Sequence, residues 1–166
     1  MLSNALQDAL NDQIQVELHS AYIYLAMSAH FEAAALPGCA GWMKHQAQEE
    51  VGHAMRLFDF VNDRGGRVVL KAIDQPEKEF GSPQEVFEAA LKHEQYVSGT
   101  IHNLYALAVK ENDYPTQSHL QWFIDEQVEE EKTAGDIVEL FKRAGGHEAA
   151  LLMIDQQLGQ RGAEGQ

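Results

Sequence analysis

The stretch Glu49-Glu50-Val51-Gly52-His53-Ala54-Met55-Arg56-Leu57-Phe58-Asp59-Phe60 carries two patterns that pull against each other. Glu50, His53, Leu57 and Phe60 recur at three- and four-residue spacing, the period of one helix face. Leu57 and Phe60 call for that face to be turned into a core, so Glu50 and His53 are carried in with them. A carboxylate on the apolar stripe of a helix is costly, and the same feature recurs along the chain.

Around this stretch, Gly and Pro fall in clusters separated by long segments nearly free of both, which predicts four long helices and a short one. The first starts at a Ser3 or Asn4 cap and runs to the Ala33-Ala34-Ala35-Leu36-Pro37-Gly38 break, with Leu6, Leu10, Ile14, Leu18, Ala21 and Leu25 on its stripe. The second starts near Cys39 and stops at Gly65-Gly66, a pair suited to a left-handed cap. Residues 67–81 form a connection long enough to cross a bundle end to end, and Arg67-Val68-Val69-Leu70-Lys71 is expected to be extended. Ser82-Pro83-Gln84-Glu85 announces the third helix with a cap, a first-turn proline and a capping-box glutamate. It continues to Asn112, and the tight Asn112-Asp113-Tyr114-Pro115 turn makes the fourth helix its antiparallel neighbour. The fourth ends at Gly145-Gly146, a short amphipathic helix covers about 147–158, and 159–166 is expected to be a loose tail. Helices of about 28 residues are about 42 Å long. The expected fold is all-α, one domain over 1–166: a four-helix bundle at about 4–145 with one long crossover, then the short fifth helix.

Composition narrows the function. The 166 residues are 45% hydrophobic and 23% charged with 4 Pro, a chain that folds around a core and is not disordered. Lys and Arg number 12 against 26 Asp and Glu, a net charge of -14 with no basic stripe. That disfavours nucleic acid and anionic lipid and makes cations the natural ligand. The single Cys39 forms no internal disulfide and no Cys-rich metal site, pointing to a reducing cytoplasm. The N-terminus carries acid in place of the basic patch of a secretory signal, and no stretch approaches the ~18–20 apolar residues of a membrane span.

Every long helix brings polar residues inward. Glu17 sits among Leu10, Ile14, Ala21 and Tyr24; Glu94 lies between Ala90 and Ile101; Gln127 and Glu130 continue the line of Leu120, Phe123, Ala134, Ile137 and Phe141. A buried lone carboxylate costs several kcal/mol or takes up a proton. The stripes supply no matching lysines or arginines, so bound cations are the simplest compensation. Oxygen ligands with one imidazole suit iron, manganese or zinc. Glu17 and Glu94, Glu50 and Gln127, and His53 and Glu130 are each 77 positions apart, as in two related helical hairpins. Glu50 and His53, three apart, present two ligands on one helix face.

These features, with Tyr24 one helical register beyond Glu17, the Glu49-Glu50 pair, Trp122 and Glu126-Gln127-Val128-Glu129-Glu130, resemble the ferritin-like di-iron carboxylate proteins over essentially the whole chain. More specifically, the chain is similar to the non-haem bacterial ferritins. The resemblance implies that Glu17, Glu50 and His53 hold one iron, that Glu50 bridges, and that Glu94 and Glu130 hold the second with Gln127 nearby. It implies a third iron site from Glu49, Glu126, Glu129 and Glu130. It further implies ferroxidase activity towards Fe(II) with O2 or H2O2 as oxidant, and a mineral store inside a hollow 24-subunit cage with the last helix near the four-fold axes. Haem is not expected: where bacterioferritins have a second E-x-x-H, this chain has Gln127-Val128-Glu129-Glu130, and Gly52 stands where the haem-binding methionine belongs. One Cys cannot build the rubredoxin-like module of rubrerythrins, and the absence of a basic arm argues against the DNA-protecting mini-ferritins.

Blander readings stand beside these. An isolated E-x-x-H is more often a structural pair than a ligand pair, and only the convergence of further acids reverses this. Glu131 is read as solvated, and Glu126 and Glu129 depend on the resemblance. Tyr24 is either a core aromatic with its hydroxyl satisfied or a redox or hydrogen-bonding group beside the metals. Trp122 is expected to pack, Cys39 to be inert, and His19, His30, His45, His93, His102, His119 and His147 to lie at surfaces or interfaces. Two other functions remain open: a di-iron oxidase or peroxidase with a permanent cofactor, and a structural bundle with a vestigial site.

Overall fold

The computed structural model describes residues 1–161. Five helices follow one another: α1 (Asn4–Ala33), α2 (Pro37–Asp63), α3 (Pro83–Lys110), α4 (Tyr114–Ala144) and α5 (Glu148–Gly159). There is no strand among the described residues. The α2 start lies two residues before the expected Cys39, because Pro37 fits the first turn, where its missing N–H costs nothing. At Ser82 both halves of the capping box form, Ser82 Oγ accepting from the Glu85 N–H and the Glu85 carboxylate accepting from the Ser82 N–H. Asp113 caps α4 by accepting from the Thr116 N–H at 2.9 Å and is held by a two-pronged pair with Arg64, both bonds 2.8 Å.

Short links make α1 and α2, and α3 and α4, antiparallel hairpins. The crossover between them is not a strand but a strap on α1. The Arg67 N–H donates to Gln7 Oε1, the buried Asn11 amide donates to the Arg67 carbonyl and accepts from the Val69 N–H, and Gln15 donates to the Ala72 carbonyl. Further on, the His30 ring nitrogen meets the Gly81 carbonyl. The contacts advance along α1 in the same direction as the crossover, so the chain is carried from one end of the bundle to the other and α3 starts beside the start of α2.

The α1 stripe differs from its expected course. Leu6, Leu10, Ile14 and Ala21 are buried, but Leu18 is only partly covered and Leu25 is 47% exposed. Steps of four overshoot a 3.6-residue turn by about 40° each, so the buried line steps back by three to Glu17 and Tyr24 and continues to Met27 and Phe31. The expected loose tail is also shorter at its start: Gly159 closes α5, and Arg161 pairs with Glu49. Residues 162–166 of that expected tail lie outside the described residues.

Two apolar clusters fill the bundle. One, at the α5 end, contains Met27, Phe31, Trp42, Met43, Phe87 and Phe141; the other contains Leu6, Leu10, Leu57, Val61, Ile101 and Leu120. Between them, at mid-length, lies a buried polar layer of Glu17, Ser20, Gln46, Glu50, His53, Glu94, Gln127 and Glu130. The core is interrupted where all four helices contribute.

Candidate metal centre

Glu17, Glu50 and His53 converge from α1 and α2. Each offers one ligand atom, and these atoms lie within 4.8 Å of one another. His53 Nδ1 is 3.3 Å from Glu50 Oε2 and 3.9 Å from Glu17 Oε2. All three side chains are buried. The other imidazole nitrogen looks the opposite way: His53 Nε2 is 4.0 Å from Glu126 Oε1, and His53, Glu126 and Glu130 form a second convergent group.

The carboxylates are steadied by neutral donors. Gln13 donates to Glu17 Oε1 at 2.8 Å. Gln46 donates to Glu50 Oε1 at 3.1 Å and to Glu130 Oε2 at 2.8 Å. Tyr24 donates its phenolic hydrogen to Glu94 Oε1, while Gln127 donates to Glu94 Oε2 at 3.1 Å and lies within 3.3 Å of Ser98 Oγ. Gln127 thus meets the site through Glu94, and the two readings of Tyr24 merge, since its hydroxyl is satisfied by a candidate ligand. Gln13 and Gln46 were missed from the sequence. Their signal was there: each lies four residues before the glutamate it holds, on the same helix face.

Electrostatics set this layer apart. Burial raises the Glu17 carboxyl well above the ordinary range, helped by the Glu50 charge and opposed by Gln13. Burial and the charges of Glu94 and Glu130 raise Glu50; burial likewise raises Glu94, with Tyr24 and Gln127 opposing. Burial, then Glu94 and Glu49, push Glu130 up to about 8. Among the described residues no lysine or arginine forms an ion pair with Glu17, Glu50, Glu94 or Glu130. Glu17 Oε2 is buried without a hydrogen-bond partner. Four acids, one imidazole and an orphaned acceptor fit multivalent cations with a preference for oxygen ligands.

The remaining expected site residues are more scattered. Glu126 is partly buried beside His53, but Glu49 is engaged by Arg161 at 2.6 Å and Glu129 is exposed. Glu131, expected in solvent, accepts from Ser98 Oγ at 2.6 Å. His93 and His119 are not free surface histidines either: His93 meets Ser20 Oγ at 2.7 Å, and His119 stacks on Phe60 at 4.0 Å. Trp122 packs edge-on against His53 at 5.3 Å beneath the Arg56 guanidinium, 3.8 Å from the ring centre. Cys39 is buried, and burial and Asp155 push its thiol upwards, which keeps it from reacting as a thiolate.

A four-helix bundle with one long crossover, its core broken by inward acids from every long helix, is the architecture of the ferritin-like carboxylate bundles. A family profile described as "Ferritin-like domain" matches residues 7–144. The chain belongs to the ferritin-like family, in its non-haem bacterial branch. It is 46% identical to a bacterial non-heme ferritin of Bacteroides fragilis (strain YCH46) over 161 residues, covering 97% of this chain and all of that one. A bacterial non-heme ferritin of Staphylococcus haemolyticus (strain JCSC1435) is 40% identical, with 97% of each chain covered. Among solved structures, an open pore ferritin from the hyperthermophilic archaeon Archaeoglobus fulgidus superimposes with a TM-score of 0.96 at 45% identity, over 97% of this chain and 99% of that one.

Proposed function

We propose that this chain is an iron-storage ferritin that oxidises Fe(II) between its helices and deposits ferric oxyhydroxide inside a hollow 24-subunit cage. The observation that carries the reading is the convergence of buried Glu17, Glu50 and His53, with Glu94 and Glu130 raised by burial in the same layer. Iron is the substrate. Glu17, Glu50 and His53 would hold one Fe(II) and Glu94 and Glu130 a second, with Glu50 placed to be shared between them, and the pair would supply two electrons for oxidation. Each Fe(II) would give up one electron to become Fe(III), and the two electrons with two protons would reduce O2 to H2O2, or H2O2 to two waters.

Anionic oxygen ligands favour Fe(III) over Fe(II) and so draw the oxidation forward. The carboxyls whose protons burial retains give them up as the cations enter. Release needs weaker holding than a permanent cofactor site provides. A single imidazole, and neutral Gln127 where another family carries a ligand, serve that need. Glu126, with Glu130, Glu49 and Glu129, is the proposed third iron position on the way out. There His53 Nε2 and Glu126 stand close, and Glu49 must part from Arg161 to join them.

Storage requires a container. Tyr22, Leu25, Tyr96, Val128, Leu152 and Met153 are large apolar side chains exposed on this single chain, and contact with further copies would bury such surface. No helix among the described residues is long and apolar enough to cross a membrane. The proposed compartment is the reducing cytoplasm, in keeping with a lone buried thiol.

Aerobic addition of Fe(II), followed by size-exclusion chromatography with iron analysis, tests the reading. Hundreds of iron atoms eluting with a large assembly support storage. Two per chain, retained through many turnovers on a small oligomer, would establish instead a di-iron oxidase or peroxidase.

A further inference from the structure

Gln46 is fully buried on α2, one turn before Glu50. Its amide nitrogen donates to acids from two different helices, Glu50 Oε1 at 3.1 Å and Glu130 Oε2 at 2.8 Å. The amide nitrogen faces both acids, and its two hydrogens serve the two bonds. The amide oxygen is buried with no hydrogen-bond partner. A glutamine kept only for packing would not leave an acceptor orphaned in the interior. The orphan makes sense if its donor arrives with a ligand, because a hydrated cation carries water hydrogens into the site.

The two acids depend on Gln46 unequally. Glu50 keeps a second tie, its other oxygen lying 3.3 Å from His53 Nδ1. Glu130 has no other hydrogen-bond donor among the described residues. Glu17, on the far side, is held independently by Gln13. Removing the Gln46 amide would therefore leave the Glu17, Glu50 and His53 group largely in place and set Glu130 adrift.

We propose that Gln46 is a positioning residue for the second cation, clamping Glu130 of α4 to Glu50 of α2 so that both carboxylates are set before the ion enters. The inference rests on the two-ion site proposed above. Outer-shell partners of metal ligands typically change affinity by about 10–100-fold when removed. Losing the clamp weakens the second ion and spares the first.

The test is an anaerobic titration of the assembled protein with Co(II), followed by calorimetry and by visible absorption, which reports the ligand set of each ion. The parent is expected to take up two ions per chain. Gln46→Met, matched in length but lacking the donor, is expected to weaken the second step about 10-fold and leave the first within about twofold, with the absorption of the first ion unchanged. Gln46→Leu repeats the result in a second packing context. In a Glu130→Gln background, Gln46→Met should have no further effect on the second step. Second-ion affinity within about twofold of the parent in both variants overturns the proposal, as does equal weakening of both steps or full additivity with Glu130→Gln. A parent that binds fewer than two ions overturns the two-ion reading itself.

Discussion

The backbone N–H of Cys39 donates to Oδ1 of Asp155 at 2.7 Å, across 116 positions of sequence. The Gly38 N–H donates to the other carboxylate oxygen at 3.2 Å. Leu36, at the N-cap of α2, has no side-chain oxygen to offer, so a residue of α5 caps α2 from a distance. The same contact seats α5 on the bundle end.

Replacing Asp155 by Ala is expected to cost about 1–2 kcal/mol, the range of a lost helix cap. Gly38→Ala is expected to be harsher, because its Cβ would stand 1.7 Å from the Asp155 carbonyl oxygen, a backbone atom that cannot swing aside. Both variants should keep the α1–α4 bundle while α5 becomes open to proteolysis. Limited digestion with mass mapping decides this: a cleavage pattern identical to the parent's would refute the seating role.

Glu130 predicts a pH dependence of definite sign. Its folded-state value of about 8 lies above the ordinary 4.5, so on raising the pH the unfolded chain gives up its proton first. The stability this group contributes is complete below about pH 4.5 and is lost as the pH climbs through about 8. Glu17, Glu50 and Glu94 shift in the same direction. Melting temperatures of the metal-free protein should fall between about pH 5 and pH 9, and Glu130→Gln should flatten part of that fall. A melting temperature that rises across the window in the parent contradicts the assignment.

Loss of the first ion's ligands should be severe. Glu50→Ala and His53→Ala are each expected to slow Fe(II) oxidation by more than about 100-fold, since even outer-shell losses reach that size. Stopped-flow absorbance under air measures it. Parent-like rates in both variants would return the bundle to a structural reading.

Tyr24→Phe removes one hydroxyl and leaves the ring. Glu94 then keeps its Gln127 bond but loses the phenolic one. The expected result is about a 10-fold lower oxidation rate with an unchanged melting profile at low pH. If the rate stays at the parent's level, the phenol serves packing alone.

How much of this could be read in advance differs from residue to residue. Glu17, Glu50, His53, Glu94 and Glu130 stood out because a charge on an apolar stripe contradicts its own helix period. Leu25 sits on the same projected stripe yet is exposed, and Leu18 packs against the core only from its edge, because small angular errors accumulate over a long helix. Gln13 and Gln46 were visible only as polar residues one turn from an acid, a spacing that is common on solvent faces and gains meaning only when the face is buried. Glu49 is grouped with Glu126, Glu129 and Glu130 by the family resemblance alone, and its contact with Arg161, 112 positions away, is one that no local pattern announces.

By itself the chain determined its helices, the Ser3 and Ser82 caps and the inward acids, since period, Gly and Pro placement and Ser82-Pro83-Gln84-Glu85 are local properties. Only the tertiary structure decided that Gln46 joins Glu50 to Glu130, that Tyr24 meets Glu94, that Asp155 caps α2 and that the crossover straps along α1. Helix periodicity fixes which way a side chain points. Which atoms it then meets across the bundle depends on the packing of helices that sequence does not make neighbours.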